Sequence, residues 1–378
     1  TAGMLPDERT LAEALKEAGY DTALVGKWHL GNWYPRQLPL ARGFDHHYGL
    51  YGALVSYYGK VRGTYYDWHR DGEPVQEEGY TTDLLAREVE RLLAARESAR
   101  PFFYYVAFNA VHGPDEAPAD LAEKYRMVYE KLPGEIPARQ RSLWAIKSAM
   151  LESMDMAVGR ILAALQSHGV RDNTLVVFFN DNGGRQENPP FRGGKGETYE
   201  GGVRVPCIFH WPGRVPAGGT VEGMAHVVDL YPTLLKLAGG SLEQKLPLDG
   251  IDLWNAVTRG DPSPRSEVVN SLPGDDVETG VMSIRQGPWK LVGQELYHIE
   301  DDPTEAHDLA KEHPEICRRL QARLEQLVTQ RRPAEQHERI PDKPLLVLGQ
   351  DENAHPPGWL KPYLESLPEE PKPKRTKQ

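Results

Sequence analysis

The sequence predicts an α/β protein: a large, mostly parallel sheet between helices, followed by a small antiparallel sheet with a helix. Two observations carry this. Over the first two-thirds, amphipathic helical stripes alternate with short apolar runs of strand character. In the last third, four short strand-like runs follow one another across turn residues with no helix between them.

Leu11 to Ala18 reads as a helix ended by Gly19, and Thr22 to Val25 as a short apolar strand. Thr81 to Glu97 is helical, with Leu84, Leu85, Val89, Leu92 and Leu93 on one face. Phe102 to Phe108, "FFYYVAF", is a buried-type strand rich in aromatics. Ser142 to Gln166 is a long helix striped by Leu143, Ile146, Met150, Met154, Val158, Ile161 and Leu165. Leu175 to Phe179 and Val203 to His210 are further strands, and Asp229 to Ala238 is a helix for which Asp229 is an N-cap rather than a catalyst. "EVVNS", "VMSIRQ", "WKLVG" and "ELYHI" form the small antiparallel sheet, and Thr304 to Gln330 its helix. The expected organisation is a main domain over 1–262, a subdomain over 263–330, and a proline-rich, charged tail over 331–378 that is extended or disordered. The chain opens on a helix that leads into a strand. A βαβ helix follows an earlier strand, so the sequence reads as though it starts inside a unit.

Composition narrows the function. The 378 residues are 39% hydrophobic and carry a formal net charge of −11. Nucleic-acid binding draws on clustered Lys and Arg and is not expected. No apolar run approaches the roughly 18 residues needed to span a bilayer. The two cysteines, Cys207 and Cys317, lack metal-ligand spacing and read as core residues.

Polar groups gather where strands end. Lys27 and His29 follow Val25, Asn109 and His112 follow Phe108, and Asn180, Asp181 and Asn182 follow Phe179. A glycine-rich loop, "FRGGKGETYEGG", then presents Lys195. Ligands of open parallel sheets bind outside the carboxyl ends of the strands. Each group also has a plain alternative. "DNGG" reads equally as a turn, Lys27 as a solvated lysine beside a core Trp28, His112 as a turn cap, and Lys195 as part of a mobile loop. Asp181 at the end of a buried strand would need a cation partner, and a carboxylate beside an amide oxygen suits Ca²⁺ or Mg²⁺ rather than zinc. Taken together, two lysines, two histidines and a divalent cation describe a cationic pocket for a tetrahedral oxyanion. His46, His47, Tyr57, Tyr58, Trp68 and His69 could line a sugar pocket, but read mostly as packing.

The segments "GYDTALVGKWH", "FFYYVAFNAVHGP", "VVFFNDNGG", "RGGKGETYEGGVRVP", "HVVDLYPTLLKLAG" and "ELYHIEDDPTEAHDLA" resemble, in order, those of the sulfatases of the alkaline phosphatase superfamily. The likeness runs from Leu11 to about Leu327 and is strongest to the arylsulfatase type, including N-acetylgalactosamine-4-sulfatase-like enzymes. It implies an alkaline phosphatase-like fold and hydrolysis of a sulfate ester, on a sulfated small molecule or glycan. By matching position, Lys27 and Lys195 resemble the sulfate-binding lysines and His29 the histidine that orients the nucleophile. His112 resembles the histidine that contacts sulfate and protonates the leaving oxygen. Asp181 and Asn182 resemble two ligands of the calcium ion, with magnesium the less expected metal. The resemblance also implies a periplasmic, secreted or lysosomal protein, and a formylglycine nucleophile installed by a formylglycine-generating enzyme or an equivalent maturase.

One element of the pattern is absent. Formylglycine arises from Cys or Ser in Cys-x-Pro-Ser-Arg or a close variant, but Cys207 precedes Ile-Phe-His, Cys317 precedes Arg-Arg-Leu, and no Ser is followed by x-Pro-x-Arg. The family's paired aspartates are absent too. Both lie upstream of Leu11 in the family, so the expectation is a fragment that lacks the N-terminal strand and the nucleophile helix, inactive and poorly soluble as it stands. The alternatives are a catalytically inactive relative that binds sulfated glycans, and a phosphodiesterase or phosphonate hydrolase of the same superfamily.

Overall fold

The computed structural model describes residues 3–330 apart from 33, 64, 98–99, 186–187, 272–281 and the side chain of Tyr65; the tail expected over 331–378 lies outside the described residues. The chain divides into two compact units at Gly169–Val170.

In the first unit, Thr10 caps α1 (Leu11–Glu17): its hydroxyl accepts the Glu13 N–H at 3.0 Å and the Glu13 carboxylate accepts the Thr10 N–H at 2.7 Å. Gly19, at φ +89°, turns the chain into β1 (Asp21–Gly26), buried throughout after Asp21. Strands β2 (His46–Gly49) and β7 (Phe102–Ala107) pair with β1 in parallel on its two sides, Ala23 lying opposite both His46 and Tyr104. Next come a ribbon of β3 (Val61–Arg62) with β4 (Tyr65–Tyr66), then β5 (His69–Arg70) and β6 (Glu73–Pro74). The last two extend the sheet beyond β2 in the antiparallel sense, giving the order β6-β5-β2-β1-β7. The sheet is therefore mixed. Strands of two residues carry no periodicity, which is why the sequence does not announce that edge.

Helix α2 (Thr81–Ala95) lays Leu84, Leu85, Val89 and Leu93 into the core against β1 and β2. Glu88 shares this buried face because it meets three donors: His46 at 2.8 Å, Arg70 at 2.9 Å and Arg91 at 2.6 Å. Burial would push this carboxyl up, but the hydrogen bonds from His46 and Arg91 and the charge of Arg70 outweigh it and hold it at about 2. Helix α4 (Ala138–Ser167) packs on α2 and on α3 (Ala119–Glu130). No residue of α3 is buried, so it has no apolar face to read.

In the second unit, β8 (Val176–Phe179) pairs antiparallel with β9 (Cys207–His210). The strand expected over Val203 to His210 is shorter, because Glu200–Val203 forms a helical turn, α5. Cys207 is exposed on β9 and is not the core residue its apolar neighbours suggest, since both faces of this two-stranded ribbon reach the unit's surface. Helices α6 (Leu230–Leu237) and α7 (Trp254–Arg259) follow. Asp229 does not cap α6 through its side chain. It is fully buried, accepts the N–H groups of His226 and Ile251 at 2.8 Å each, and pairs with Arg265. Strands β10 (Glu267–Ser271), β11 (Met282–Gln286), β12 (Trp289–Val292) and β13 (Glu295–His298) form the expected antiparallel sheet in sequence order. Helix α8 (Pro314–Val328) covers it, with Leu320 and Leu324 on Ile284, Leu291 and Leu296. The helix starts ten residues later than the sequence suggests, because Thr304 to His313 form turns held by Asp302 and Asp308.

His47, Tyr57, Trp68 and His69 are packing residues, all fully buried, while Tyr58 is 39% exposed. The His47 ring stacks on Tyr51 at 4.8 Å, and Tyr51 meets His69 at 4.3 Å. Burial, then the neighbouring His69 and His46, pushes His47 down to about 3. In the unfolded chain this imidazole titrates near the ordinary value of about 6.5, so between the two values only the unfolded state binds the proton and stability falls as pH falls. At about pH 5 this single group should cost roughly 2 kcal/mol. Thermal unfolding measured at about pH 7 and pH 5 should show His47→Phe losing less on acidification than the parent; parallel losses would refute this.

Candidate functional site

Lys27 and His29 leave β1 through Gly26, whose φ is +126°. A side chain there would collide with the Ala107 carbonyl, so glycine is required by both conformation and space. The neighbouring strands hold the turn by backbone alone. The Lys27 N–H donates to Ala107 O at 2.8 Å, the Trp28 N–H to Leu50 O at 2.9 Å, and the His29 N–H to Tyr51 O at 3.1 Å. Trp28 is buried as an anchor and its indole N–H donates to Gln37 O at 2.9 Å. Lys27 is thereby left half-buried, and His29 exposed in a left-handed conformation at φ +53°. Tyr51 is itself fixed by Asp67, whose carboxylate accepts the N–H groups of Tyr51 at 2.9 Å and Gly52 at 2.8 Å.

His112 leaves the adjacent parallel strand at the same sheet edge. Its N–H donates to Asn109 O at 2.9 Å. The hydroxyl of buried Tyr57 lies 2.8 Å from both the Asn109 and the His112 carbonyls. The imidazole Nδ1 lies 2.8 Å from Gly113 O, which fits an Nδ1–H donor and leaves Nε2 for other chemistry. The structure thus brings Lys27, His29 and His112 to one edge of the first unit.

Asp181, Asn182 and Lys195 lie in the second unit, on two segments that meet through their backbones. Asp181 is exposed and Asn182 half-buried, and β8 is half-buried along its length. The expectation of a carboxylate closing a buried strand is therefore corrected: burial does not force a cation on Asp181. The "DNGG" segment is bound to the glycine-rich loop by backbone. The Gly183 N–H donates to Gly202 O at 2.9 Å and the Lys195 N–H to Gly184 O at 2.8 Å. Asn188 is the hub: its amide nitrogen donates to Gly184 O and Gly201 O at 3.0 Å each, and its amide oxygen accepts the Gly184 N–H at 3.1 Å. Side chains at Gly183, Gly201 or Gly202 would strike the facing backbone. The glycines therefore let two loops touch, and the loop is a braced one rather than the mobile alternative. Lys195 is exposed upon it.

The Asp181 carboxylate and the Asn182 amide oxygen are the hard donors that calcium or magnesium takes. Calcium takes roughly six to eight oxygens. Among the described residues no three His, Cys, Asp or Glu side chains cluster to hold a metal. The pair fits such an ion in kind, as part of its shell. Sequence reasoning passed over Asp67 and Asn188, and took Tyr57 for packing rather than for the residue that holds the His112 turn. None stands in a catalytic pattern, and "ENPPF" around Asn188 reads only as a turn.

The Sulfatase family model matches residues 3–241, and the model described as N-sulphoglucosamine sulphohydrolase, C-terminal, matches residues 194–330. Arylsulfatase J of Mus musculus is 31% identical over 310 residues, covering 78% of this chain and 50% of the relative. N-acetylgalactosamine-6-sulfatase of Canis lupus familiaris is 34% identical over 285 residues, covering 70% and 51%. The chain spans about half the length of these curated relatives. The crystal structure of Ps i-CgsB in complex with k-i-k-neocarrahexaose superposes with a TM-score of 0.78 at 30% identity, covering 89% of this chain and 78% of that one.

Gly26→Ala should destabilise the protein by about 2 kcal/mol or more, from left-handed strain and the collision with β7. Denaturant unfolding checks it; a change under about 0.5 kcal/mol would show that the turn tolerates a side chain.

Proposed function

The chain belongs to the sulfatase family, and from that premise we propose that it forms the sulfate-handling part of a sulfuric ester hydrolase acting on a sulfated sugar. The observation that carries this is the braced pair of loops in which exposed Lys195 is bound through its N–H to Gly184 O, in the segment that follows the Asp181–Asn182 pair. A lysine and donors for a divalent cation carried on two loops tied backbone to backbone favour a substrate that is itself an oxyanion. The sugar as substrate is supported by relatives named for N-acetylgalactosamine 6-sulfate and by a neighbour solved with a neocarrahexaose.

In this proposal the ammonium of Lys195 binds sulfate oxygens and offsets the charge that grows as the S–O bond breaks, and Lys27 keeps the sulfate-binding role that the family likeness gives it. His112 in its imidazolium form, with Nδ1–H held by Gly113 O, gives its Nε2 proton to the departing alcohol oxygen and is left as the neutral Nδ1–H tautomer. His29, fixed through its backbone to Tyr51, orients the nucleophile. Asp181 and Asn182 would hold part of the shell of a calcium ion, which supplies further positive charge to the sulfate. A formylglycine made by a maturase would supply the nucleophile; neither cysteine and no serine of the 378 residues stands in the motif that yields it.

That absence sustains a second reading, a relative that binds sulfated glycans without hydrolysing them. Assays with an aryl sulfate and the matching aryl phosphate separate the possibilities. A protein that joins these residues to a segment carrying the formylglycine motif, matured in a host that makes formylglycine, should cleave the sulfate ester faster, and the 378-residue chain alone should cleave neither. In the matured protein Lys195→Ala should lower kcat/KM by about a hundredfold or more. No turnover by that protein would favour the binding relative, faster phosphate cleavage would favour a phosphoester hydrolase, and turnover by the 378-residue chain alone would refute the assignment of the nucleophile.

A further inference from the structure

The glycine-rich loop that carries Lys195 ends at an ion cluster that none of the site residues explains. Lys290 of β12 is 1% exposed, and its ammonium lies 2.8 Å from Glu200 Oε1 and 2.8 Å from Glu305 Oε1. Both carboxylates are buried, Glu200 at 4% and Glu305 at 1% exposure. Glu200 closes the loop and begins α5, and its N–H donates to Glu305 Oε2 at 2.6 Å. Arg204 adds a second cation 3.6 Å from Glu200. The other end of the loop is tied to the same region. The Arg192 guanidinium donates to the Tyr297 hydroxyl at 2.6 Å and to the Glu305 carbonyl at 3.3 Å, and lies over the Tyr199 ring at 3.9 Å. The Tyr199 hydroxyl donates to Glu295 at 2.5 Å. Glu305 takes a left-handed conformation, φ +54°, to reach Lys290 and Glu200 at once.

A buried ion pair is a poor source of stability, because apolar groups of the same volume often do as well. It does fix geometry, since two carboxylates that share one ammonium tolerate little displacement. We infer that Lys290 and Glu305 are positioning residues, which clamp the loop from Arg192 to Arg204 to the antiparallel sheet and so set where Lys195 presents its ammonium to an oxyanion. This rests on Lys195 binding sulfate, as proposed above. It gives the small sheet a part in sulfate binding although none of its side chains need touch the ligand.

Lys290→Met strands two buried carboxylates and can unfold the unit, so Glu305→Gln is the primary variant. It keeps the Lys290–Glu200 pair and an acceptor for the Glu200 N–H. Hydrogen exchange over 192–204, melting temperature and calorimetric affinity for inorganic sulfate are measured for the parent, Glu305→Gln, Lys290→Arg and Lys195→Ala. For Glu305→Gln the expected result is exchange over 192–204 faster by about tenfold, with β8 and α8 unchanged. Its sulfate Kd should be weaker by about fivefold or more. Lys290→Arg should stay near the parent in both. Equal acceleration across the whole unit, or parental exchange over 192–204 and parental affinity in Glu305→Gln, would overturn the inference. Lys195→Ala separates the two levels: parental sulfate affinity in that variant sinks the role of Lys195, whereas weakened affinity there with a silent Glu305→Gln sinks only the clamp.

Discussion

The first unit depends on the way β1 ends. Its backbone ladder continues past the strand, with the Lys27 N–H donating to β7 and those of Trp28 and His29 to the residues after β2. Such a hand-over needs a left-handed residue without a Cβ, in contact with the neighbouring carbonyl, and Gly26 meets that requirement. Lys27 and His29 inherit their positions from these bonds. Lys27 and His29 alternate with the buried anchor Trp28, so one faces the half-buried side of the turn and the other solvent.

The second unit uses backbone contact differently. Two loops are pressed together through glycines, and one amide side chain, Asn188, satisfies carbonyls on both. Glycine richness here marks close packing of main chain on main chain. The apparent flexibility of the composition is misleading, because each glycine that a side chain would block is also tied by a hydrogen bond. Such loops can present a lysine at a fixed place at low entropic cost on binding.

Family membership and local geometry bear on function in separate ways. The family match names a chemistry; the geometry says which groups this chain can contribute to it. The first unit offers a histidine with its Nδ1 engaged and a lysine on a braced turn, and the second a lysine on a braced loop and a carboxylate–amide pair. Buried His47 and His69, which pack on Tyr51, and part-buried His46, which serves Glu88, belong to the fold instead.

The sequence by itself determined the α/β alternation, the four-stranded antiparallel sheet and the polar segments that follow β1, β7 and β8. These are local signals: a hydrophobic period, a run of β-branched and aromatic residues, or glycines after a strand. It did not disclose the two-residue strands, helix α3, the exposure of Asp181 and Cys207, or the roles of Asn188, Asp67 and Lys290. Only the tertiary structure decided those. Burial depends on which strand pairs with which, and a lysine on β12 is a surface residue by composition until Glu200, 90 residues earlier, and Glu305, in the turns beyond β13, arrive beside it. A short-range pattern records what each segment prefers, and long-range pairing decides which polar groups are left to face a ligand.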